Sequence, residues 1–231
     1  MDDVREFWRK VWNEKATSDS MFVQIGRSSY TPLEFFLMIR DIADALKIEK
    51  EDVLLDAGGG VGWVSMCVSP FVSEITLFDY AEEMVNKARE TTKYCGNIRV
   101  FLDDLLIMEK VRDKKYTKTI VGSVLQYLEN YEQVETSLLN TYTVMSPRAR
   151  AVFTHNPDIR KKENHFKSYD RLNYGKERLK KALDMEEMRL WLDITKIKGI
   201  ASKIGFSNCY ETPINARLWQ STHMFDFVVE K

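Results

Sequence analysis

The chain has 231 residues, and its 34 basic and 35 acidic side chains leave a formal net charge of −1. So even a balance excludes a global field that would gather nucleic acid, and no apolar run reaches the roughly 18 residues of a membrane-spanning helix. A hydrophobic content of 44% over this length suits one domain with additions. Cys67, Cys95 and Cys209 are odd in number and widely spaced, with no metal-ligand pair among them, and the charged start from Met1 to Glu6 is no signal peptide. Reduced thiols and a cytoplasmic location are therefore expected.

In chain order, residues 1–48 read as a helical cap. An aromatic helix surrounds Phe7, Trp8, Val11 and Trp12, a loop runs from Gln24 to Tyr30, and a second helix covers 32–46. Pro32 suits a first turn, and Leu33, Phe36, Leu37, Ile39, Ile42 and Leu46 recur near helical spacing. Residues 49–231 form the main domain. Strands are predicted over 53–56, 75–79, 98–102, 118–122 and 149–155, with helices over 62–69, 81–92, 131–145 and 190–204 among them. Apolar segments within 207–214 and 223–230 supply the last strands. Strands alternating with helices imply an α/β fold, a parallel sheet with helices on both faces.

Residues 156–190 fall outside that alternation. A connection this long inside a compact domain is often a lid or a binding loop, and the pattern from Arg178 to Leu183 predicts a helix within it. Between 160 and 181 it carries Arg160, Lys161, Lys162, Lys167, Arg171, Lys176, Arg178, Lys180 and Lys181 against Glu163, Asp170 and Glu177. Two readings stand side by side: a solvated helix face, or a lid that attracts an anionic group.

The stretch Asp56-Ala57-Gly58-Gly59-Gly60-Val61-Gly62 follows Val53-Leu54-Leu55 and precedes Trp63-Val64-Ser65-Met66, so it reads as strand, glycine turn, helix. Backbone without Cβ can pass close to a ligand, and a helix starting there aims free N–H groups and its positive dipole end at the turn. The nicotinamide dinucleotide fingerprint fails in the main register, because Trp63 stands where its third glycine belongs. Asp79 ends the next strand roughly 20 residues on, the interval of a ribose-binding carboxylate; it also suits a helix cap. Asp103 and Asp104 follow the third strand, and Gly122 and Ser123 end the fourth.

Together these motifs resemble the class I S-adenosylmethionine-dependent methyltransferases, over roughly residues 50–155 and 200–231. The resemblance implies a mostly parallel seven-stranded sheet closed by an antiparallel pair, and S-adenosyl-L-methionine as cofactor. By it, Asp56, Gly58, Gly60 and Gly62 line the cofactor, and Asp79 with Tyr80 beside it meets the ribose. Asp104, or Asp103, meets the adenine amino group, Leu105 covers the ring, and the backbone at Gly122 or Ser123 meets the methionine ammonium. An N-terminal segment folds over the cofactor in many such enzymes; Arg27 would pair with the methionine carboxylate, with Tyr30 nearby.

Ligands in open α/β sheets bind beyond the carboxyl ends of the strands, which puts His155 at the presumed site as a base for a hydroxyl acceptor. His165, on the insertion, is the alternative. Asn156-Pro157 follows the fifth strand rather than the fourth and lacks the second proline and aromatic of the motif in amino-directed nucleic-acid methyltransferases. No metal is expected. The acceptor is read as a small molecule, a sugar or nucleotide-linked sugar whose phosphates Arg160, Lys161, Lys162 and Arg171 would attract. The rival readings are methylation of RNA or protein, and a non-enzymatic cofactor-binding protein.

Overall fold

The computed structural model describes residues 4–169 and 175–231. Its sheet has seven strands: β1 Val53–Ala57, β2 Glu74–Asp79, β3 Ile98–Leu102, β4 Tyr116–Gly122, β5 Met145–Pro157, β6 Asn208–Thr212 and β7 Met224–Glu230. They lie in the order β3-β2-β1-β4-β5-β7-β6. Pairing is parallel from β3 across to β5, and β7 runs antiparallel to both β5 and β6. The order reverses where β1 parts from β4, the switch point at which such sheets open a crevice.

Successive residues in the central strands point to opposite faces, and both faces are apolar. Leu54, Ile75, Ile120, Val152 and Val228 face one layer; Leu55, Phe153 and Phe227 face the other. The first layer is covered by helix α3, Pro32–Leu46, whose Leu37, Met38, Ile42 and Leu46 join that core. Its start is fixed by Pro32 in the first turn and by a reciprocal cap: Glu34 N donates to Thr31 Oγ1 at 3.3 Å, and Thr31 N to Glu34 Oε2 at 2.7 Å. The second layer is covered by α6, Tyr131–Val144, and α9, Ile194–Ile204, through Leu138, Ile197 and Ala201.

The remaining helices frame the crevice. They are α1 Val4–Ala16, α2 Met21–Gln24, α4 Trp63–Val68, α5 Glu82–Thr91, α7 Lys162–Ser168 and α8 Lys176–Glu187. α1 packs on α5 and closes over the glycine turn. The helix expected from residue 190 begins only at Ile194, because Asp193 caps it by accepting the Thr195 N–H at 2.8 Å. β5 runs longer than its apolar core suggests and breaks register against β7 between Phe153 and Asn156. Asp170 and Arg171 of the basic stretch lie outside the described residues. No described helix is long and apolar enough to cross a membrane.

Candidate active site

A pocket opens at the carboxyl ends of β1, β2, β4 and β5, roofed by Arg5, Trp12 and the stretch around Gln24 to Arg27. Asp56, Gly58, Gly60, Asp79, Tyr80, Asp103, Asp104, Leu105, Gly122, Ser123, Arg27 and His155 all line it. Gly62, Tyr30 and His165 do not.

The glycine turn is tied to β2 at three points. Gly58 N and Gly59 N donate to the Phe78 carbonyl at 2.8 and 3.0 Å, and Gly60 N donates to Asp79 Oδ2 at 3.0 Å. At Gly60 φ is +55, and an added Cβ would meet only Met84 Sδ at 3.8 Å. The dihedral favours glycine there, and the bare backbone faces the pocket. Gly62 has a packing role instead: an added Cβ would stand 2.9 Å from Thr92 Cγ2, where the start of α4 meets the end of α5.

Asp56 and Asp79 are buried, and burial pushes both carboxyls up to about 6. Asp56 Oδ2 accepts from Ser65 Oγ at 2.6 Å, while Asp79 Oδ1 accepts from Ala81 N at 2.9 Å. Asp79 thus braces both the turn and the entry to α5, and still lines the pocket. At the far end the adjacent acids divide their work. Asp103 accepts N–H bonds from Asp104, Glu109 and Lys110, which folds its own loop. Asp104 accepts from Leu106 N at 2.9 Å and pairs with Arg5, whose guanidinium lies 5.7 Å from the Tyr80 ring centre.

Beyond the turn, Arg27 Nη2 donates to Ser123 Oγ at 2.7 Å and brings the N-terminal segment onto the end of β4. Tyr30 turns away: its hydroxyl donates to Gln220 Oε1 at 2.7 Å in the core. His155 sits in the bulge of β5 with φ +55, its N–H donated to Asp226 Oδ1 and its Nε2 buried with no hydrogen-bond partner among the described residues. Burial, then Arg27 and His223, holds its pKa well below the usual imidazole range. Asp226 is itself pushed up to about 7, chiefly by burial. His165 is stacked on His223 at 4.1 Å, with Nε2 3.3 Å from Glu186 Oε2. Burial opposes the charged form of Glu186, but His165 and Arg189 hold its pKa below the usual range.

The basic insertion is otherwise engaged. Arg160 bonds Asp158 and Glu211, each at 2.8 Å, and Lys161 donates to the carbonyls of Ser221 and Met224 at 3.3 and 3.1 Å. Lys162 lies near the rings of Phe166 and Trp191. None of these three lines the pocket. Residues that sequence reasoning passed over do: Arg5, Gln24 and Tyr127, and Trp12, which reads as a packing aromatic. The aromatic face of α1 was the available signal, since Trp8 and Trp12 pack on Tyr127 at 4.6 and 5.5 Å. No group of three or more His, Cys, Asp or Glu among the described residues is placed to hold a metal ion.

A family model described as a methyltransferase domain matches residues 55–153, the stretch that holds the glycine turn, Asp79, Asp104, Ser123 and β5 as far as Phe153. That stretch of the chain is a methyltransferase domain, and the whole chain has the fold of the class I methyltransferases. Its fold is similar to that of the N-methyltransferase NodS from Bradyrhizobium japonicum WM9, solved with S-adenosyl-L-homocysteine, with a TM-score of 0.68 at 15% identity, covering 99% of each chain. It is also similar to magnesium protoporphyrin IX methyltransferase from Synechocystis PCC 6803, with a TM-score of 0.64 at 16% identity, covering 100% of this chain and 98% of that one. Phosphoethanolamine N-methyltransferase 1 from Haemonchus contortus gives 0.70 at 11% identity, over 98% of this chain and 48% of that one. A curated relative, ribosomal RNA small subunit methyltransferase A from Natranaerobius thermophilus, is 26% identical over 72 residues, which span 31% of this methyltransferase and 24% of that protein.

Proposed function

We propose that this methyltransferase transfers the methyl group of S-adenosyl-L-methionine to a small-molecule acceptor. The observation that carries the reading is the joining of Gly60 N to Asp79 Oδ2 at 3.0 Å in the same pocket as His155. It sets a nucleoside-binding turn and a buried imidazole in one enclosure. The residues fit the cofactor: bare backbone at Gly60, a carboxylate at Asp79 for two ribose hydroxyls, and a guanidinium at Arg27 for a carboxylate.

The cofactor supplies an electrophilic methyl group. Asp104 and Leu105 would hold the adenine end, and Gly122 and Ser123 would set the methionine end. Arg5, Trp12 and Gln24 exclude water from above. His155 is placed to accept the proton of a hydroxyl acceptor, although burial and Arg27 oppose its charged form and so make it a weak base. Residues 4–48 contribute the cover, and none of the described residues within 156–190 lines the pocket, which leaves the insertion without the role of an electrostatic lure.

Several solved neighbours are named for small acceptors, porphyrin and phosphoethanolamine among them. That supports a small acceptor over RNA or protein, as does the engagement of Arg160 and Lys161 within the fold. A nucleotide-linked sugar loses its sequence-based support with those two residues, so any anion on the acceptor must be met elsewhere. The test is calorimetric titration with S-adenosylmethionine and NAD, then transfer of labelled methyl into metabolite, RNA and protein fractions. Heat with NAD alone would overturn the cofactor assignment; label in RNA or protein alone would overturn the acceptor class.

A further inference from the structure

Cationic side chains from three separate elements gather behind the pocket wall: Arg27 lines the pocket, and Arg189 and Lys15 stand behind it, close to Arg27. Arg27 reaches in from the loop after α2 and is held by Ser123 Oγ at 2.7 Å. Arg189 follows α8, and the next residue, Leu190, donates its N–H to the Gln126 carbonyl at 2.9 Å, which sets Arg189 beside the segment from Ser123 to Tyr127. Lys15, at the end of α1, stands 4.2 Å over the Trp12 ring, and that ring meets Tyr127 edge-on at 5.5 Å.

Charges of one sign brought together out of water are costly unless an anion joins them. The protein supplies too few. Arg189 has Glu186 at 3.1 Å. Arg27 bonds a hydroxyl and a carbonyl, and Lys15 has no ion-pair partner among the described residues. Burial first, then Arg189 and Arg27, pushes the Lys15 ammonium down to about 8. The same corner holds buried polar atoms without a hydrogen-bond partner among the described residues: Arg27 Nε, Arg189 Nε, Gln126 Oε1, His155 Nε2 and His223 Nε2. Gln126 is 1% and His155 2% exposed, so bulk water does not satisfy them.

We propose that Arg189 and Lys15, with Arg27, form an anion subsite beside the methyl-transfer position, and that the acceptor carries a carboxylate or phosphoryl group held there. This rests on the methyl-transfer reading and adds the acceptor's charge to it. Arg27 is shared, since the cofactor's own carboxylate lies within its reach under that reading; Arg189 and Lys15 are left for the acceptor. His155 then faces the end of the acceptor that receives the methyl group.

The test uses the full chain saturated with S-adenosyl-L-homocysteine, which fills the cofactor's carboxylate position, titrated at pH 7 with orthophosphate and with succinate. At least one anion binds, and Lys15→Gln and Arg189→Gln each weaken it by about 10-fold, the scale of one charge-assisted hydrogen bond. Arg189→Lys retains part of the affinity, and binding to the wild type weakens above pH 8 as Lys15 loses its proton. Binding of phosphate alone assigns a phosphoryl acceptor, and of succinate alone a carboxylate. No heat with either anion, or unchanged affinity in Lys15→Gln, overturns the subsite. Lys15→Gln decides even where loss of the Glu186 pair unfolds Arg189→Gln. Failure of the wild type to bind S-adenosyl-L-homocysteine would strike the methyl-transfer reading instead.

Discussion

Ser123 and His155 both hold left-handed backbone, φ 59 and 55, at neighbouring ends of β4 and β5, where Ser123 N donates to the Thr154 carbonyl at 2.9 Å. Residues with a Cβ avoid this region, and each such residue stores on the order of 1–3 kcal/mol. The strain persists because both are clamped. Arg27 and Gln126 bond Ser123, Asp226 accepts the His155 N–H, and Asn156 Nδ2 donates to the Phe153 carbonyl at 2.9 Å across the bulge. The outcome is a side chain turned out of the strand's alternation and into the pocket wall.

If His155 takes the acceptor's proton, His155→Gln lowers kcat by about 100-fold and leaves the affinity for S-adenosyl-L-homocysteine within about twofold. The pH profile adds a separate check. A base must be neutral to act, and His155 is held neutral to well below the usual imidazole pKa. At saturating cofactor, kcat therefore stays flat as pH falls through about 6.5. An acid limb at that pH would count against His155.

Asp79 predicts how cofactor binding follows pH. Its pKa of about 6 is raised by burial, and it must be ionised to accept from both ribose hydroxyls. Cofactor affinity thus falls as pH drops through about 6, by up to about tenfold per unit below it. Asp79→Ala costs about 1.5–3 kcal/mol of cofactor binding. It also lowers stability by about 1 kcal/mol, because Gly60 N and Ala81 N lose their acceptor. Retained affinity with lost stability would leave Asp79 a purely structural brace.

The fold and half of the pocket were legible because they rest on local chemistry. Val53-Leu54-Leu55 can only be a strand buried on both faces, and the glycines after it can only be a tight turn. Asp79 followed from spacing alone. What escaped depends on distant partners. Nothing near Arg160 in sequence announces Glu211, 51 residues on, as the acid that engages it. Arg5 is one arginine among several in an amphipathic helix, and its pairing with Asp104 spans 99 residues. Gly62 fits the motif, yet its missing Cβ makes room for Thr92, a contact only the packing of α4 on α5 creates.

Buried acids also set the stability profile. Asp56 and Asp79 near 6 and Asp226 near 7 are raised above their unfolded value of 3.8, so the folded chain holds these protons more tightly. Their contribution is greatest at low pH and is lost as pH rises from about 4 to about 7. Asp226→Asn removes one of these ionisations while keeping an acceptor for the His155 N–H. It should raise the thermal midpoint at pH 8 relative to wild type and leave it nearly unchanged at pH 4. A lower midpoint at pH 8 would show that the ionised carboxylate is stabilising.

The last prediction separates the basic insertion from acceptor capture. Arg160 is half exposed, but its partner Asp158 is 1% exposed and also accepts the Arg160 backbone N–H at 3.0 Å. Removing the guanidinium leaves a buried carboxylate short of a partner, which costs about 1–3 kcal/mol; the exposed bond to Glu211 adds at most about 1 kcal/mol. Arg160→Gln should therefore lower the unfolding free energy measured by urea titration by that amount. Lys161→Gln gives up two carbonyl contacts and a looser ion pair with Asp158 at 3.8 Å, and should do less. Neither change should raise the acceptor's KM or flatten its dependence on salt, since neither side chain lines the pocket. A raised KM in Lys161→Gln with unaltered stability would return the insertion to the role of an electrostatic lure.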